Sequence, residues 1–238
     1  MTENRRATED NRILVLAFYV VVDVSQSMQF SGAIEEVNKI LPQVADAIDG
    51  SPMLGDLVRF GAMDFADDAR VLLRLGDLRD VQTALPTFTT RGRTSYAAAF
   101  RLLRQEIERD LAQLRSDNLR VYRPAVFFIT DGEPTDEEFE VQAAFDELTD
   151  PSFPARPNIL PFGVGTATKE ALDRWIFPKT GGKAMRSYLS VDVDPRTAIA
   201  RVTEALLASI IASAASVSSA GQSGGFMPPD DEDLDDWI

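Results

Sequence analysis

The chain has 238 residues, 45% of them hydrophobic and 26% charged, which suits one α/β domain with a core of its own. It contains neither cysteine nor histidine. Disulfides, thiolate chemistry and imidazole ligands are therefore excluded, and a metal would have to be held by oxygen, which favours Mg²⁺, Mn²⁺ or Ca²⁺. The net charge of −14 argues against nucleic-acid binding, because an acidic surface repels phosphate.

Both ends of the chain are polar. Residues 1–12 (MTENRRATEDNR) hold no apolar segment and no secretory signal, so we expect a disordered arm. The later apolar runs are short or broken by serine, and we expect a cytoplasmic protein with no membrane partner. Residues 218–238 are rich in glycine and serine and then acidic, with six acids from Asp230 to Asp236, which predicts a flexible tail.

The first part of the chain predicts a strand, a helix and a hairpin. Residues 13–22 are almost all β-branched or aromatic, typical of a strand that is buried on both faces of a parallel sheet. Residues 31–48 carry a helical apolar stripe, in which Pro42 is expected to introduce a kink. Residues 57–65 and 70–75 predict two antiparallel strands.

The rest of the domain alternates helices with strands. Helices are predicted over 94–115, 135–148, 169–175 and 195–217, and strands over 124–130, 158–165 and 184–189. This order predicts an α/β fold over 13–217: a doubly wound, mostly parallel six-stranded sheet with one antiparallel edge strand and helices on both faces. Ligands of such sheets bind beyond the carboxyl ends of the strands, where the strand order reverses.

Two of the predicted buried strands end in a carboxylate. Asp23 follows the first strand and opens the sequence DVSQS, whose alternate side chains Asp23, Ser25 and Ser27 are expected to converge. Asp131 follows the strand 124–130. If the two strands are neighbours, both carboxylates lie at one crevice.

Thr94 adds a further oxygen from the glycine-containing loop TRGRTSYAAAF. Five candidate metal ligands then come from three loops at one edge of the sheet: Asp23, Ser25, Ser27, Thr94 and Asp131. Helix capping by Thr94, turn formation by the serines and local amide capping by Asp23 stay open as structural explanations. Ser95 also stays open as an alternative to Thr94.

This pattern resembles the von Willebrand factor A (vWA) domain, whose metal-ion-dependent adhesion site (MIDAS) combines Asp-x-Ser-x-Ser, a Thr and an Asp. The resemblance implies a Rossmann-like fold in which the DVSQS turn forms the first metal loop, Thr94 the second and Asp131 the third. The second loop departs from the family pattern. Arg93 stands where small residues are usual, so it could weaken the metal site or attract an acidic ligand.

YRPAVFFITDGEPTD and LLASIIASAASVSS resemble the bacterial tellurium-resistance-associated (TerY-type) branch of that family. This resemblance implies a stress-response adaptor that works beside protein kinases and PP2C-like phosphatases. It also implies a partner that supplies an acidic residue to the metal.

We expect a binding module rather than an enzyme. A Mg²⁺-dependent phosphoryl-transfer enzyme using Asp23 is the alternative, but Ser25 stands where a second catalytic aspartate would be needed. A scaffold with a vestigial metal site is a third possibility. The acidic tail ends in Trp237 and Ile238, so it is a candidate docking peptide, or a source of a metal ligand in cis or in trans.

A second acidic group lies at the end of the predicted strand 57–65 and just after it. We expect Asp64, Asp67 and Asp68 to belong to a solvated hairpin turn.

Overall fold

The computed structural model describes residues 12–30, 32–81, 84–179, 185–190 and 193–229. The strands in these ranges are β1 (Leu14–Asp23), β2 (Val58–Phe65), β3 (Ala69–Gly76), β4 (Arg120–Val121), β5 (Ala125–Thr130), β6 (Asn158–Gly163) and β7 (Tyr188–Leu189). The α-helices are α1 (Gln26–Phe30), α2 (Ala33–Val37), α3 (Ile40–Asp49), α4 (Pro52–Leu57), α5 (Tyr96–Ser116), α6 (Glu138–Thr149), α7 (Lys169–Asp173) and α8 (Pro195–Ala220).

The strands form one sheet in the order β3-β2-β1-β5-β6-β7, and the two-residue β4 pairs with the start of β1. Within the described ranges every pairing of named strands is parallel except that of β2 with β3. The sheet confirms the predicted architecture, but the described residues form seven strands rather than the predicted six, because β4 was not predicted. From β1 the chain adds β2 and β3 on one side and later β5, β6 and β7 on the other. The strand order therefore reverses between β1 and β5, where a ligand site is expected.

β1 is the centre of the core, and its side chains alternate between two apolar layers. Leu16, Phe18, Val20 and Val22 pack with α3 and α8, whereas Ala17, Tyr19 and Val21 pack with α5 and α6. Because both faces are covered, the strand reads as an uninterrupted apolar run. Asp23 is the residue at which this run stops.

The predicted helix 31–48 is instead two helices, α2 and α3, separated at Asn38. The Asn38 amide nitrogen donates to the carbonyl oxygens of Ile34 and Phe88, each at 3.0 Å, and its oxygen accepts from the Phe88 amide at 2.7 Å. The two bonds to Phe88, which lies in a distant loop, hold Asn38 at the end of α2. Pro42 lies in the first turn of α3 rather than inside a longer helix, so its missing N–H removes no helical hydrogen bond and gives no reason for a kink.

The helix α4 was missed in the sequence. Ser51 caps it, with its hydroxyl accepting from the Leu54 amide at 3.4 Å, and Pro52 occupies the first helical position. Serine followed by proline is a known helix-start signal, so the information that indicates α4 was present in the sequence.

The last helix, α8, lies against the sheet. Among the described residues it is the one helix that is long and apolar enough to cross a membrane, yet 56% of its most apolar window is buried inside the protein. Ile199, Val202, Leu206 and Ile210 belong to the core on the β1 side. Burial of this kind is typical of a core helix.

The chain beyond α8 does not leave the domain where we expected. After Ala220 it turns, and residues 224–229 run back along α8. We call residues 224–229 the return segment. Its Phe226 ring lies 6.3 Å from that of Phe18 and 6.5 Å from that of Phe127, measured between ring centroids.

Serines of α8 hold the main chain of the return segment. Ser213 Oγ accepts from the Met227 amide at 2.8 Å, and Ser209 Oγ donates to the Met227 carbonyl oxygen. The domain therefore extends to Pro229. The expected N-terminal arm and the acidic part of the tail lie in residues 1–11 and 230–238, outside the described residues, and stay predictions.

Candidate metal centre

The two strand-end carboxylates lie side by side, because β1 and β5 are parallel neighbours with Val22 paired to Ile129. Both are buried: Asp23 has 0% and Asp131 4% of its surface exposed. From the sequence, a shared crevice for Asp23 and Asp131 required that their strands be neighbours, and the structure shows that they are.

A chain of hydrogen bonds connects four of the five predicted ligands. The Ser25 amide donates to Asp23 Oδ1 at 2.8 Å, and the Ser25 and Ser27 hydroxyls lie 2.9 Å apart. Ser27 Oγ in turn donates to Asp131 Oδ1 at 2.8 Å. The DVSQS turn thus directs its oxygen atoms towards the end of β5, as expected.

Thr130 and Tyr96 support this cluster, and the sequence interpretation missed both. Thr130 Oγ1 donates to Asp23 Oδ2 at 2.9 Å, so both oxygens of the Asp23 carboxylate accept a hydrogen bond. The Tyr96 hydroxyl lies 3.0 Å from Thr130 Oγ1 and donates to the Gly132 carbonyl oxygen at 2.7 Å. A threonine at the last position of a buried strand, next to Asp131, was the available signal.

The structure places Thr94 in a loop that contacts the other two metal loops. The Arg91 amide donates to the Val24 carbonyl at 2.7 Å, and the Thr94 carbonyl accepts from the amide and the hydroxyl of Thr135 at 2.8 and 3.0 Å. Thr94 itself is 7% exposed.

Ser95, rather than Thr94, caps α5. Its hydroxyl accepts from the Ala98 amide at 3.1 Å and donates to Asp136 Oδ1 at 2.7 Å. The capping explanation for Thr94 is therefore wrong. Because Ser95 serves as the helix cap and bonds to Asp136, Thr94 is kept as the candidate ligand of the second loop.

The third loop differs from the prediction at its helix start. Thr135 does not cap α6, which begins at Glu138, because Thr135 bonds to Thr94 instead. The Asp136 carboxylate likewise accepts from the Ala97 amide at 3.1 Å. Asp136 therefore stabilises the start of α5 and fixes the third loop to the second.

The expectation of a solvated acidic turn is wrong for Asp64. Asp67 and Asp68 are exposed, but Asp64 lies inside β2 with 0% exposure. Arg70 and Arg91 each place a guanidinium nitrogen 2.6 Å from its carboxylate. The adjacent strand β3 and the second metal loop supply these charges, and neither contact was visible in the local sequence.

Burial raises the pKa of Asp23 to about 6, although its hydrogen bonds with Ser25 act in the opposite direction and the neighbouring Asp131 adds to the rise. Burial also raises the pKa of Asp131. Two adjacent buried carboxylates are costly to ionise together, and a bound dication would offset that cost.

The donor set fits a hard divalent cation. It consists of carboxylate and hydroxyl oxygens, which suit Mg²⁺, Mn²⁺ or Ca²⁺. The described residues contain no group of three or more acidic, histidine or cysteine side chains placed to hold a metal. A metal at Asp23 and Asp131 therefore depends on the hydroxyl ligands as well.

Comparison with solved structures shows the same fold. A von Willebrand factor type A protein from Catenulispora acidiphila is 15% identical, with a TM-score of 0.57, over 83% of this chain and 43% of that chain. Proximal thread matrix protein 1 from the mussel byssus, with a zinc-occupied MIDAS motif, is 14% identical, with a TM-score of 0.55, over 84% and 48%. The VWA domain of SpRpn10 is 13% identical, with a TM-score of 0.50, over 78% and 94%.

The chain spans just under half the length of the first two of these structures. No curated protein matches it. The model of the von Willebrand factor type A domain matches residues 18–191, well over half of the chain. The chain belongs to the von Willebrand factor type A domain family.

Proposed function

We propose that this domain binds partner proteins through a divalent cation held by Asp23, Ser25, Ser27, Thr94 and Asp131. The observation that carries the proposal is the hydrogen-bonded chain from Asp23 through Ser25 and Ser27 to Asp131. Domains of this family commonly mediate metal-dependent protein–protein interactions through a MIDAS and are generally interaction modules rather than enzymes.

The charges at the site explain why a partner carboxylate is the expected ligand. Two protein carboxylates neutralise the dication, while the neutral hydroxyls leave it able to attract a further anion. An aspartate or glutamate of a partner would then make a charge-assisted contact in a partly dry site. Ser27 is the exposed member of the hydrogen-bonded chain, so the partner is expected to approach beside Ser27.

The oxygen ligands support Mg²⁺ or Mn²⁺ as the resident cation, with Ca²⁺ as an alternative. The mussel protein whose MIDAS is occupied by zinc makes Zn²⁺ the competitor to include in binding experiments.

The geometry gives little support to phosphoryl transfer by Asp23. A nucleophilic aspartate must admit a bulky phosphoryl group to one of its oxygens, whereas Asp23 is fully buried, and a small cation needs far less room. The residue two positions later, Ser25, cannot act as the acid or base of that reaction. The intact ligand set likewise supports a working site over a vestigial one.

The cellular role is proposed from the sequence resemblance. YRPAVFFITDGEPTD and LLASIIASAASVSS support a bacterial, cytoplasmic adaptor of the tellurium-resistance type, with a protein kinase or a PP2C-like phosphatase as partner. The partner's acidic residue would complete the coordination of the metal.

The acidic tail, residues 230–238, is a second candidate source of that carboxylate. The described chain ends at Pro229, whose carbonyl accepts a hydrogen bond from the Tyr188 hydroxyl at 3.4 Å. Tyr188 lies in β7 and is in register, through Phe162 of β6 and Ile129 of β5, with Val22 of β1. Tyr188 thus lies at about the same height along the strands as the metal site, three strands or about 14 Å away from β1. Nine further residues can extend roughly 30 Å, which is enough to reach the cation.

Affinity capture tests the proposed function. The wild-type domain is expected to retain a protein from a native lysate with Mg²⁺ but not with a chelator, and Asp23→Ala is expected to retain none. Substituting acidic residues of the captured protein should then abolish retention. Deletion of residues 230–238 is expected to strengthen capture if the tail competes for the metal. Capture that is equal with chelator or with Asp23→Ala would contradict the proposal.

A further inference from the structure

We propose that Arg91 is a positioning residue for the metal site: its guanidinium, held by the buried carboxylate of Asp64, fixes the loop that carries Thr94. The inference rests on the proposed function, since it assigns a role in metal binding. It concerns a residue that lies outside the metal-binding pattern.

Asp64 provides a rigid anchor. It is fully buried in β2, where it pairs in register with Val22 of β1 and with Arg70 of β3. Arg70 binds it through two parallel contacts, from Nε to Oδ1 at 3.1 Å and from Nη2 to Oδ2 at 2.6 Å. A bidentate pair of this kind fixes the orientation of the carboxylate.

Arg91 joins that anchor to the second metal loop. Its Nη2 donates to Asp64 Oδ1 at 2.6 Å and to the Asp68 carbonyl at 3.2 Å, and its Nη1 contacts the Asp68 carboxylate. The main-chain amide of Arg91 donates to the Val24 carbonyl inside the DVSQS turn at 2.7 Å. One residue thus contacts the hairpin through its side chain and the first metal loop through its backbone.

The loop returns to the same hairpin immediately after Thr94. The Ser95 amide donates to the Ala66 carbonyl at 2.7 Å, and the Gln26 amide donates to the Gly92 carbonyl at 3.3 Å. Thr94 therefore lies between two attachment points, Arg91 and Ser95. Loss of the Arg91 side-chain contacts would detach this end of the segment from the hairpin and leave it held only by the main-chain bonds of Arg91 and Gly92 to the DVSQS turn.

Arg70 and Arg91 form a matched pair for an experiment. Both bind the same buried carboxylate, so removing either one leaves Asp64 with a single arginine partner. Arg70 belongs to β3 and Arg91 to the metal loop, so if Arg91 positions Thr94, substitution of Arg91 should weaken metal binding more than substitution of Arg70. If the Asp64 carboxylate matters only for stability, the two substitutions should have the same effect.

The direction in which metal affinity changes when Arg91 is substituted distinguishes a positioning role from a purely electrostatic one. If Arg91 acted only as a cation near the site, removing its charge would tighten the binding of a divalent metal. If it positions Thr94, removal weakens binding, since loss of a residue that orients a metal ligand typically costs about 10- to 100-fold in affinity.

Calorimetric titration with Mn²⁺ alone tests the inference. Arg91→Met is expected to raise the Kd roughly tenfold or more, and Arg91→Lys to restore part of the affinity because it keeps the charge without the planar fork. Arg70→Met is expected to stay within about threefold of wild type. Unchanged or tighter binding by Arg91→Met, or an equal loss in Arg70→Met, would overturn the inference.

Amide hydrogen exchange in metal-free protein gives a readout that does not depend on metal binding. Exchange of the Ser95 amide is expected to be at least tenfold faster in Arg91→Met than in Arg70→Met, since only the first variant releases the loop. Equal rates would contradict the positioning role. If the wild-type domain bound no Mn²⁺, the proposed function would fail, whereas the exchange rates would still decide whether Arg91 holds the loop.

Discussion

The hydroxyl of Ser27 donates a hydrogen bond to the carboxylate of Asp131 at 2.8 Å, although 104 residues separate them in the chain. This contact joins the turn after β1 to the end of β5 at the point where the strand order reverses. Oxygen atoms that converge in this way, from a buried core outward, form the basis of the proposed metal site.

Ser27→Ala is expected to raise the Kd for Mn²⁺ about tenfold, because it removes one proposed ligand. Ser27 is exposed, so the free energy of unfolding should change by less than about 1 kcal/mol. Titration calorimetry and urea unfolding measure the two quantities. Ser116→Ala, an exposed serine at the end of α5, is the control and should alter neither. A tenfold loss in the control, or none in Ser27→Ala, would contradict the assignment.

Asp23 makes stability depend on pH in the presence of chelator. Its pKa in the folded protein, about 6, lies above the ordinary value of 3.8, so folding favours the protonated form. The resulting stabilisation is complete below about pH 4 and is lost as pH rises through 6. Relative to Asp23→Asn, the wild type should lose on the order of 2–3 kcal/mol between pH 4 and 7.

Urea unfolding of both proteins at four pH values in EDTA measures this difference. Saturating Mg²⁺ at pH 7 should restore stability to the wild type and leave Asp23→Asn unchanged. A difference that stays constant with pH would show that the Asp23 carboxylate is not perturbed by burial.

Phe226 tests whether the return segment belongs to the core. Phe226→Ala should lower the free energy of unfolding by about 2–3 kcal/mol, somewhat below the cost at a fully buried phenylalanine, because Phe226 is only partly buried. Phe139 is 70% exposed and provides the control, with an expected loss of less than about 0.5 kcal/mol for Phe139→Ala. Equal effects of the two substitutions in urea unfolding would show that residues 224–229 do not contribute to the fold.

Arg93 is expected to have little influence on the metal. Its Nε lies 3.4 Å from the Asp67 carboxylate, and its side chain is 79% exposed, so solvent screens its charge. Arg93→Ala should change the Kd for Mg²⁺ by less than about threefold. Binding that becomes ten times tighter would mean that Arg93 opposes the cation after all.

The parts of the fold that were predictable depend on local pattern. The apolar run of β1 and the carboxylate that ends it identify a buried strand and its ligand edge without knowledge of other segments. The alternation of strands and helices then indicates a parallel sheet. The DVSQS turn is likewise a local feature, so its convergence on Asp131 needed only that β1 and β5 be neighbours.

Three of the features that were missed depend on partners far away in the sequence. The break at Asn38 is set by Phe88, fifty residues later, and the burial of Asp64 depends on Arg91 from another loop. The return segment is held by Phe18 and by serines of α8. The composition of the acidic hairpin and of the glycine-rich segment after α8 predicted solvent exposure in both. Composition alone cannot indicate contacts with residues that are distant in the sequence.

The decisive measurement is titration of the metal-free domain with Mg²⁺ and Mn²⁺, for wild type and for Asp131→Ala. Asp131 is at the far end of the hydrogen-bonded chain from Asp23, on a different strand, so its loss should affect binding only if both strands share one cation. A cation shared by the two strands predicts one saturable site in the wild type and a loss of affinity of at least about 100-fold in Asp131→Ala. Absence of binding in the wild type, or equal binding by both proteins, would contradict it.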